Sequence, residues 1–377
     1  MRNLVYFVST PLLKRDLGVY GVDFFNKKNI QVYFFNLWPL FSKGLEHKTD
    51  VDYKYQIHIN SIFCLIKELK KFDKKNTTFI SDFSFSLKRK SFYLILTLLR
   101  IEYSFVDNWY AIIPSKKHTN SFSGKLKQKL PTGYDLLRFV FTVFLKKPKY
   151  VFWPTKNSFH CKVVTGSNSK IIPYASLNHD DYIQFTKNYV NTNLVTEDYF
   201  VFVDQYLTDL PDFARMGVKS PLTEKYYDSL NKQFQELSNN ANLEYVVANH
   251  PRRIDSDKVV FKTEHVFYYL TFELIKNSKF VFIHNSMSVY WAVLLKKPIV
   301  FIITEEIKDT FIEDKIKMYA NELKQEVINI DEIALRLDSL ALEINEEVYE
   351  QFRLKHIVYD TICDLKSYEI VYQTIYN

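Results

Sequence analysis

Glycine is scarce in this sequence, with 7 residues in 377. No Gly-x-Gly-x-x-Gly run and no Walker loop occurs, which excludes the glycine-rich cradles that hold nicotinamide dinucleotides or ATP. The Gly-x-Ser-x-Gly turn of serine hydrolases is also missing. A nucleotide site in this chain must therefore be built from other elements.

Cysteine is rarer still. The 3 cysteines, Cys64, Cys161 and Cys363, lack the short spacings of zinc sites and redox pairs; two lie in apolar surroundings and are interpreted as packed side chains, and a reducing cytoplasm is the simplest compartment. Two Asp-x-Asp patterns, at 50–52 and 255–257, match the motif of metal-dependent transferases. Both lie in polar stretches rather than after a buried strand, and we interpret them as solvated loops. We expect neither a metal nor another cofactor.

Long apolar runs are missing as well. The longest, around Tyr93–Leu99 and Phe139–Leu145, fall well short of the roughly 20 residues that cross a bilayer. The apolar stretch Leu4–Val8 after Arg2 is too short for a signal peptide and indicates a first strand. We expect a cytoplasmic protein that does not span the membrane.

Basic residues are unevenly placed. The net charge is +7, and nine basic residues, Lys125 and Lys127 among them, lie between Pro114 and Lys149 against one acid, Asp135. This stretch is interpreted either as a solvated surface or as one that contacts a glycan acceptor or an anionic membrane. No RNA-binding signature accompanies it, so no nucleic-acid partner is expected.

Short apolar runs alternate with helical stretches along most of the chain. The predicted strands are Leu4–Val8, Ile30–Phe35, Thr77–Ile80, Tyr103–Val106, Asp198–Val203, Leu243–Ala248, Phe280–Ile283 and Pro298–Ile303. The alternation predicts an α/β fold with parallel sheets covered on both faces. The length and the 47% hydrophobic content suit two domains, 1–190 and 191–377, with a linker near Tyr174–Leu194 and a ligand cleft between the sheets.

Two polar segments follow strands of the second domain. One is Asn249-His250-Pro251-Arg252-Arg253, and the other is His284-Asn285-Ser286-Met287-Ser288, which begins a helix. Carboxyl ends of parallel strands share one sheet edge, so the segments should converge. Serine hydroxyls, N–H groups of a helix N-terminus, a histidine and arginines predict a phosphate site. Each segment alone is weak, because Ser286 also suits a simple helix cap.

The His-Pro followed by Ser-x-Ser resembles bacterial sialyltransferase-like and Kdo-transferase-like enzymes of the GT-B fold. Phe200–Leu207, Lys170–Pro173 and His284–Thr304 also resemble proteins of capsule and O-antigen loci. The resemblance covers about residues 165–305. It implies a GT-B glycosyltransferase with two Rossmann-like domains facing each other across a cleft, the first binding the acceptor and the second the nucleotide sugar.

The resemblance also implies residue roles. In those families the histidine and serine contact the CMP phosphate, which assigns donor binding to His250, Pro251, Arg252, Asn285, Ser286 and Ser288. Glu273 is assigned to a ribose hydroxyl by the same analogy, although its place in a predicted helix favours an exposed glutamate without that role. Arg252 and Arg253 could also pair with the carboxylate of an acidic sugar.

The catalytic base is the open position, because the families' Asp-Asp/Glu-Gly signature is missing here. Asp107 stands in the expected order after a first-domain strand, and Asp82 is a second candidate with the same placement. Asp204, at the first strand end of the second domain, is a further candidate. Asp209 beside it is assigned to the acceptor surface.

These observations predict a metal-independent, inverting transfer of a sugar, favoured as a CMP-activated acidic one, to a glycan or lipid-linked acceptor in surface polysaccharide synthesis. A UDP-, GDP- or dTDP-sugar transferase is the first alternative. A sugar-nucleotide epimerase and a non-catalytic polysaccharide-binding or assembly protein are the others.

Overall fold

The computed structural model describes residues 2–10, 12–42, 51–83, 86, 89–107, 143–154, 166–187, 194–209, 220, 222–253 and 258–377. The chain divides into two compact units. Unit 1 holds the described residues up to Asp180 together with Val358–Asn377, and unit 2 holds those of Asp181–Ile357.

Unit 1 is built on a parallel sheet in the order β3-β2-β1-β4-β5-β6-β7. The strands are β1 (Arg2–Val8), β2 (Ile30–Asn36), β3 (Gln56–His58), β4 (Thr77–Ser81), β5 (Ser104–Val106), β6 (Tyr150–Trp153) and β7 (Lys170–Pro173). The helices are Lys14–Val19, Val22–Lys27, Trp38–Phe41, Ile62–Leu69, Lys90–Leu98, Leu177–Lys187, which runs across the boundary between the units, and Ser367–Tyr376. A 3₁₀ turn covers Asp360–Ile362.

Unit 2 repeats the arrangement with the order β10-β9-β8-β11-β12-β13, also parallel. Its strands are β8 (Tyr199–Val203), β9 (Glu244–Asn249), β10 (Val266–Tyr268), β11 (Val281–Ile283), β12 (Ile299–Ile303) and β13 (Val327–Asn329). Its helices are Glu224–Ala241, Thr271–Asn277, Val289–Leu294, Phe311–Glu322 and Glu346–His356, with 3₁₀ turns at Leu207–Asp209, Pro251–Arg253 and Leu337–Ser339.

The central strands form because their apolar runs can be buried on both faces, as parallel sheets require. All five residues of β8 are buried, and Phe200 and Phe202 pack against Phe234 of the helix Glu224–Ala241 with ring centroids 5.7 and 5.3 Å apart. That helix begins where the Thr223 hydroxyl accepts the Lys225 N–H, and it ends at Asn242 in the left-handed region.

Both sheets reverse their strand order at one point, between β1 and β4 in unit 1 and between β8 and β11 in unit 2. In open parallel sheets the connections leave opposite faces at this point, and ligands bind beyond the carboxyl ends of the two strands. The α/β prediction with two Rossmann-like sheets is confirmed.

The division of the chain differs in detail from the expected one. The stretch predicted as a linker contains the helix Leu177–Lys187, and the units separate at 180/181. The last helix, expected with the second domain, belongs to unit 1, where Tyr368 and Tyr372 lie 5.1 and 5.5 Å from the Phe24 ring. The reason is apolar burial, because the aromatic side chains of this helix pack over Phe24 and its neighbours and remove them from water.

Candidate functional site

The reversal point of unit 2 brings together the two segments that follow β8 and β11. The Gln205 side-chain oxygen accepts the Asn285 N–H at 2.9 Å and joins them. The segment after β9 lies beside them, because β9 pairs with β8. The predicted convergence of the His-Pro and serine segments at one sheet edge is therefore what the topology produces.

Asp204 and Arg253 form a buried ion pair at this edge. The Arg253 Nε lies 3.1 Å from the Asp204 Oδ2, and the two side chains are 4% and 0% exposed. The other carboxylate oxygen accepts the Tyr206 N–H at 3.0 Å, and Oδ2 also accepts the His250 N–H at 3.4 Å. The Arg253 guanidinium further donates to the Tyr227 hydroxyl and covers the Tyr206 ring at 4.3 Å.

This geometry gives both residues a structural role. A base must present a free oxygen to a substrate hydroxyl, whereas both oxygens of the Asp204 carboxylate already accept hydrogen bonds from the protein. The expectation that Asp204 is the base has no geometric support, and neither has the pairing of Arg253 with a ligand carboxylate. Together they hold the segment after β9 against that after β8.

His250 is the residue that this ion pair positions. Its N–H also donates to the Asn249 side-chain oxygen at 3.0 Å, and its ring stacks on Tyr206 with centroids 6.1 Å apart. Pro251 then begins a 3₁₀ turn, which suits a residue without an N–H. The backbone of Arg252 lies in that turn, and its side chain is outside what the structure describes.

The serine segment differs from the predicted helix N-terminus. The N–H groups of Val289 and Tyr290 donate to the carbonyls of Ser286 and Met287, at 3.1 and 2.9 Å. They are therefore not available to an anion. The Ser286 hydroxyl donates to that of Ser288 at 3.1 Å and accepts its N–H. What this segment offers a phosphate is its hydroxyl groups.

Among the buried side-chain oxygens of unit 2, Asn285 Oδ1, Glu273 Oε2 and Thr304 Oγ1 have no hydrogen-bond partner in the described part of the chain. Asn285 and Thr304 follow the adjacent strands β11 and β12, and Glu273 lies in the helix after β10. A buried polar atom left unpaired costs about 1–3 kcal/mol, so such atoms indicate a missing partner. The amide and carboxylate oxygens can only accept, which suits ligand hydroxyl or N–H groups better than phosphate.

His284 has a structural role that the sequence does not reveal. It is fully buried, with Nδ1 2.7 Å from the Ile302 carbonyl and Nε2 2.8 Å from the Tyr226 hydroxyl. A carbonyl only accepts, so Nδ1 carries the proton and Nε2 accepts from Tyr226. Burial lowers the pKa of His284 to about 4, which keeps the ring neutral.

Unit 1 carries a different group at its own reversal point. Asp82 follows β4 directly, its N–H donates to the Phe7 carbonyl of β1 at 3.1 Å, and its side chain is buried. The Tyr20 hydroxyl donates to Oδ2 at 2.6 Å, whereas Oδ1 is buried without a hydrogen-bond partner among the described residues. Burial, with a smaller contribution from the Asp16 charge, raises the pKa of the Asp82 carboxyl to about 7, against the lowering effects of the Tyr20 hydrogen bond, the Arg89 charge and the Ser9 backbone.

The positive charge of Arg89 acts on this carboxyl and lowers its pKa. Its guanidinium stacks 4.8 Å from the centre of the Phe83 ring and donates to the Ser9 hydroxyl after β1 at 3.4 Å. Burial lowers its pKa. A carboxyl that titrates near neutrality beside a half-buried arginine is the arrangement expected of a general base.

Asp107, the other first-domain candidate, lies at the end of β5 and is half-buried. Its N–H donates to the Phe152 carbonyl at 3.2 Å. Asp209 closes the turn Leu207–Asp209 with its side chain outside the described part, and Lys125 and Lys127 lie outside the described residues altogether. Among the described residues, Asp82 is thus the candidate that combines a buried, unpaired carboxyl oxygen with a raised pKa.

Among the described residues, no group of three or more His, Cys, Asp or Glu side chains could hold a metal ion. Within the same residues no helix combines the length and the apolar character needed to cross a bilayer.

No protein-family model matches the chain. No curated protein matches it either. Solved structures do match. UDP-GlcNAc 2-epimerase from Methanocaldococcus jannaschii is similar with a TM-score of 0.50 and 14% identity over 100% of both chains. The Neisseria meningitidis UDP-GlcNAc 2-epimerase, solved with UDP-GlcNAc, gives 0.46 and 12% over 100% of this chain and 99% of that one. A spinosyn forosaminyltransferase gives 0.42 and 12% over 99% and 94%. At these identities the likeness concerns the fold, which is a pair of Rossmann-like sheets of the GT-B kind.

Proposed function

We propose that this protein is a glycosyltransferase that uses a nucleotide sugar, binding the nucleotide in unit 2 and activating the acceptor hydroxyl in unit 1. The observation that carries the proposal is Asp82, a buried carboxyl with a pKa of about 7 at the reversal point of the first sheet. The GT-B fold supports a nucleotide-sugar ligand, because the similar M. jannaschii protein is an epimerase of UDP-GlcNAc.

In unit 2 we assign the phosphate to His250 and the Ser286 and Ser288 hydroxyls. Arg252 is assigned there from its place in the His-Pro segment. Glu273 and Asn285 accept hydroxyl or N–H groups of the ribose, base or sugar, which would supply the partners that their buried oxygens lack. Pro251 sets the turn that directs His250.

The choice of donor sugar is proposed from the two arginines of the His-Pro segment. A CMP-activated acidic sugar needs a cation for its carboxylate, whereas Arg253 is already neutralised by Asp204 and Arg252 is assigned to the phosphate. This favours the neutral sugars of the first alternative, and among nucleotides we propose UDP ahead of CMP. The sialyltransferase-like resemblance then describes the phosphate-binding residues and not the sugar.

In unit 1 we propose Asp82 as the base that takes the proton of the acceptor hydroxyl in an inverting, metal-independent transfer. A pKa near the working pH balances the ionised fraction against proton affinity. Asp107 is then a second acceptor contact rather than the base. The acceptor is proposed as a glycan or lipid-linked glycan of a surface polysaccharide, met at the inner face of the membrane.

Nucleotide binding is tested by thermal shift with UDP, CMP, GDP and dTDP on the wild type, His250→Ala and a matched control, His265→Ala. His265 belongs to the same unit and is partly exposed. A ligand at 100 times its dissociation constant adds about 2.7 kcal/mol to the native state. We expect stabilisation by UDP that His250→Ala abolishes and His265→Ala keeps. Equal thermal shifts by UDP in both variants would contradict the assignment of His250 to the nucleotide site.

The base is tested by turnover of Asp82→Asn, Asp107→Asn and Asp204→Asn. Loss of a general base lowers turnover by about 10²–10⁴-fold. We expect that loss for Asp82→Asn with the UDP thermal shift unchanged. Full turnover of Asp82→Asn would reject the assignment.

A sugar-nucleotide epimerase is the second candidate, because the M. jannaschii epimerase shares this fold over both whole chains. An epimerase alters the nucleotide sugar without an acceptor, whereas a transferase releases the nucleotide faster when an acceptor is added. Conversion of UDP-GlcNAc alone would establish the epimerase. Binding without either reaction would indicate the non-catalytic assembly protein.

A further inference from the structure

A basic groove lies at the amino ends of β4, β5 and β6, the sheet edge opposite to Asp82. Its volume is about 410 Å³, which is within the range of ligand sites. Thr77, Ser104 and Tyr150 of the three strands form its floor, and Ile375 of the last helix borders it. The groove is separate from the proposed active site, since a strand of five residues spans about 17 Å.

Five cationic side chains line this groove against one acid, Glu102: Lys74, Lys75, Arg100, Lys146 and Lys149. None of the five forms an ion pair within the described part of the chain. Two of them are held by main-chain carbonyls instead, Lys74 by Leu99 at 2.6 Å and Lys146 by Arg100 at 3.5 Å. A concave set of unpaired cations is suited to a phosphate-bearing ligand.

Exposed apolar side chains lie on the two chain segments that lead into Arg100 and Lys146 of the groove. Leu94 and Leu98, one turn apart on the same helix face, are 43% and 71% exposed, and Val143 and Phe144 are 58% and 77% exposed. The Lys146 N–H donates to the Thr97 hydroxyl at 2.8 Å, which ties the two segments together at the groove. A soluble phosphate compound gives these side chains nothing to contact.

We propose that this surface binds the headgroups of anionic phospholipids, with Leu98 and Phe144 entering the interfacial layer of the membrane. Lysine and arginine attract an anionic leaflet, and large apolar side chains beside them gain burial in it. The site does not depend on the proposed function. A protein bound through it would face the membrane with the amino edge of the first sheet.

The test is co-sedimentation of the full chain with vesicles of equal parts phosphatidylglycerol and phosphatidylcholine, and with phosphatidylcholine alone. We expect binding to the anionic vesicles only, weakened by added salt. Each basic residue at such a surface contributes roughly fivefold to partitioning, so Lys75→Gln/Arg100→Gln/Lys149→Gln should bind about 100-fold more weakly. The exposed lysines of unit 2 supply a control of equal charge, Lys225→Gln/Lys232→Gln/Lys262→Gln, which should bind nearly as the wild type does.

A second variant, Leu98→Gln/Phe144→Gln, separates lipid from soluble phosphate. It should lose vesicle binding while a thermal shift by pyrophosphate stays as in the wild type. Equal loss in the groove and control variants would overturn the proposal, as would a pyrophosphate shift without vesicle binding. Melting temperatures of all variants show whether they fold, and nucleotide binding by His250 is unaffected in either outcome.

Discussion

Replacing Asp82 with asparagine should stabilise the protein at neutral pH while it abolishes turnover. In the native state burial raises the pKa of this carboxyl from 3.8 to about 7. Ionising it above that pH places a charge in buried, poorly solvated surroundings. The asparagine amide has nearly the same shape, can still accept the Tyr20 hydrogen bond through its oxygen, and carries no charge to desolvate.

The pH dependence has a definite sign. A carboxyl whose folded pKa is raised stabilises the native state fully below its unfolded pKa, and this contribution is lost as the pH rises through the folded value. The difference in unfolding free energy between Asp82→Asn and wild type should therefore grow from pH 4 to pH 8. A shift of about three pKa units corresponds to an upper limit of about 4 kcal/mol.

Urea denaturation at pH 4, 5, 6, 7 and 8 measures this difference, with Asp228→Asn as the control. Asp228 is an exposed residue of the helix Glu224–Ala241, so the same change of charge should leave the pH profile as it is. A difference that stays within 1 kcal/mol across the range would refute the assignment of a buried, near-neutral carboxyl. Stability gained where activity is lost is the pattern of catalytic groups held in unfavourable surroundings.

Three further substitutions test the packing around the sites. Arg253→Ala should destabilise by about 3–5 kcal/mol in urea, because it leaves its carboxylate partner buried and uncompensated; a near-neutral result would contradict the buried pair. Tyr226→Phe should cost about 1–3 kcal/mol, since the Nε2 of His284 loses the hydroxyl that donates to it, and an unchanged midpoint of thermal unfolding would contradict this role. Gly21→Ala should cost at least about 1–2 kcal/mol for a left-handed backbone and more for overlap with the last helix, whereas Gly18→Ala, where a Cβ meets nothing, should be neutral or stabilising in the same assay.

The central strands were predictable because each is a run of apolar residues ending at a polar one. β1, β2, β4, β8 and β12 agree with the predicted runs to within two residues at each end. The missed strands are short or partly exposed. β3 reads Gln-Ile-His and β13 reads Val-Ile-Asn, and such edge strands take their structure from a neighbour rather than from their own composition.

The candidate sites were predictable in position and less so in role. The order of strands and polar loops placed His250, Ser286 and Asp82 at carboxyl ends, where the sheets have them. Asp204 is paired with Arg253, which lies 49 residues further along the chain, and no local sequence pattern encodes such a pairing. The raised pKa of Asp82 likewise comes from its burial in the folded unit, which no local pattern encodes.

The return of Val358–Asn377 to unit 1 has a consequence for synthesis on the ribosome. The described residues of unit 2 all lie within Asp181–Ile357, so this unit can fold as soon as Ile357 has emerged, whereas unit 1 lacks its last helix until Tyr376 has emerged. At 5–20 residues per second, the first 180 residues wait roughly 10–40 s with the aromatic face around Phe24 uncovered. The half of the chain made first is completed last, and that interval is when a chaperone would have most to protect.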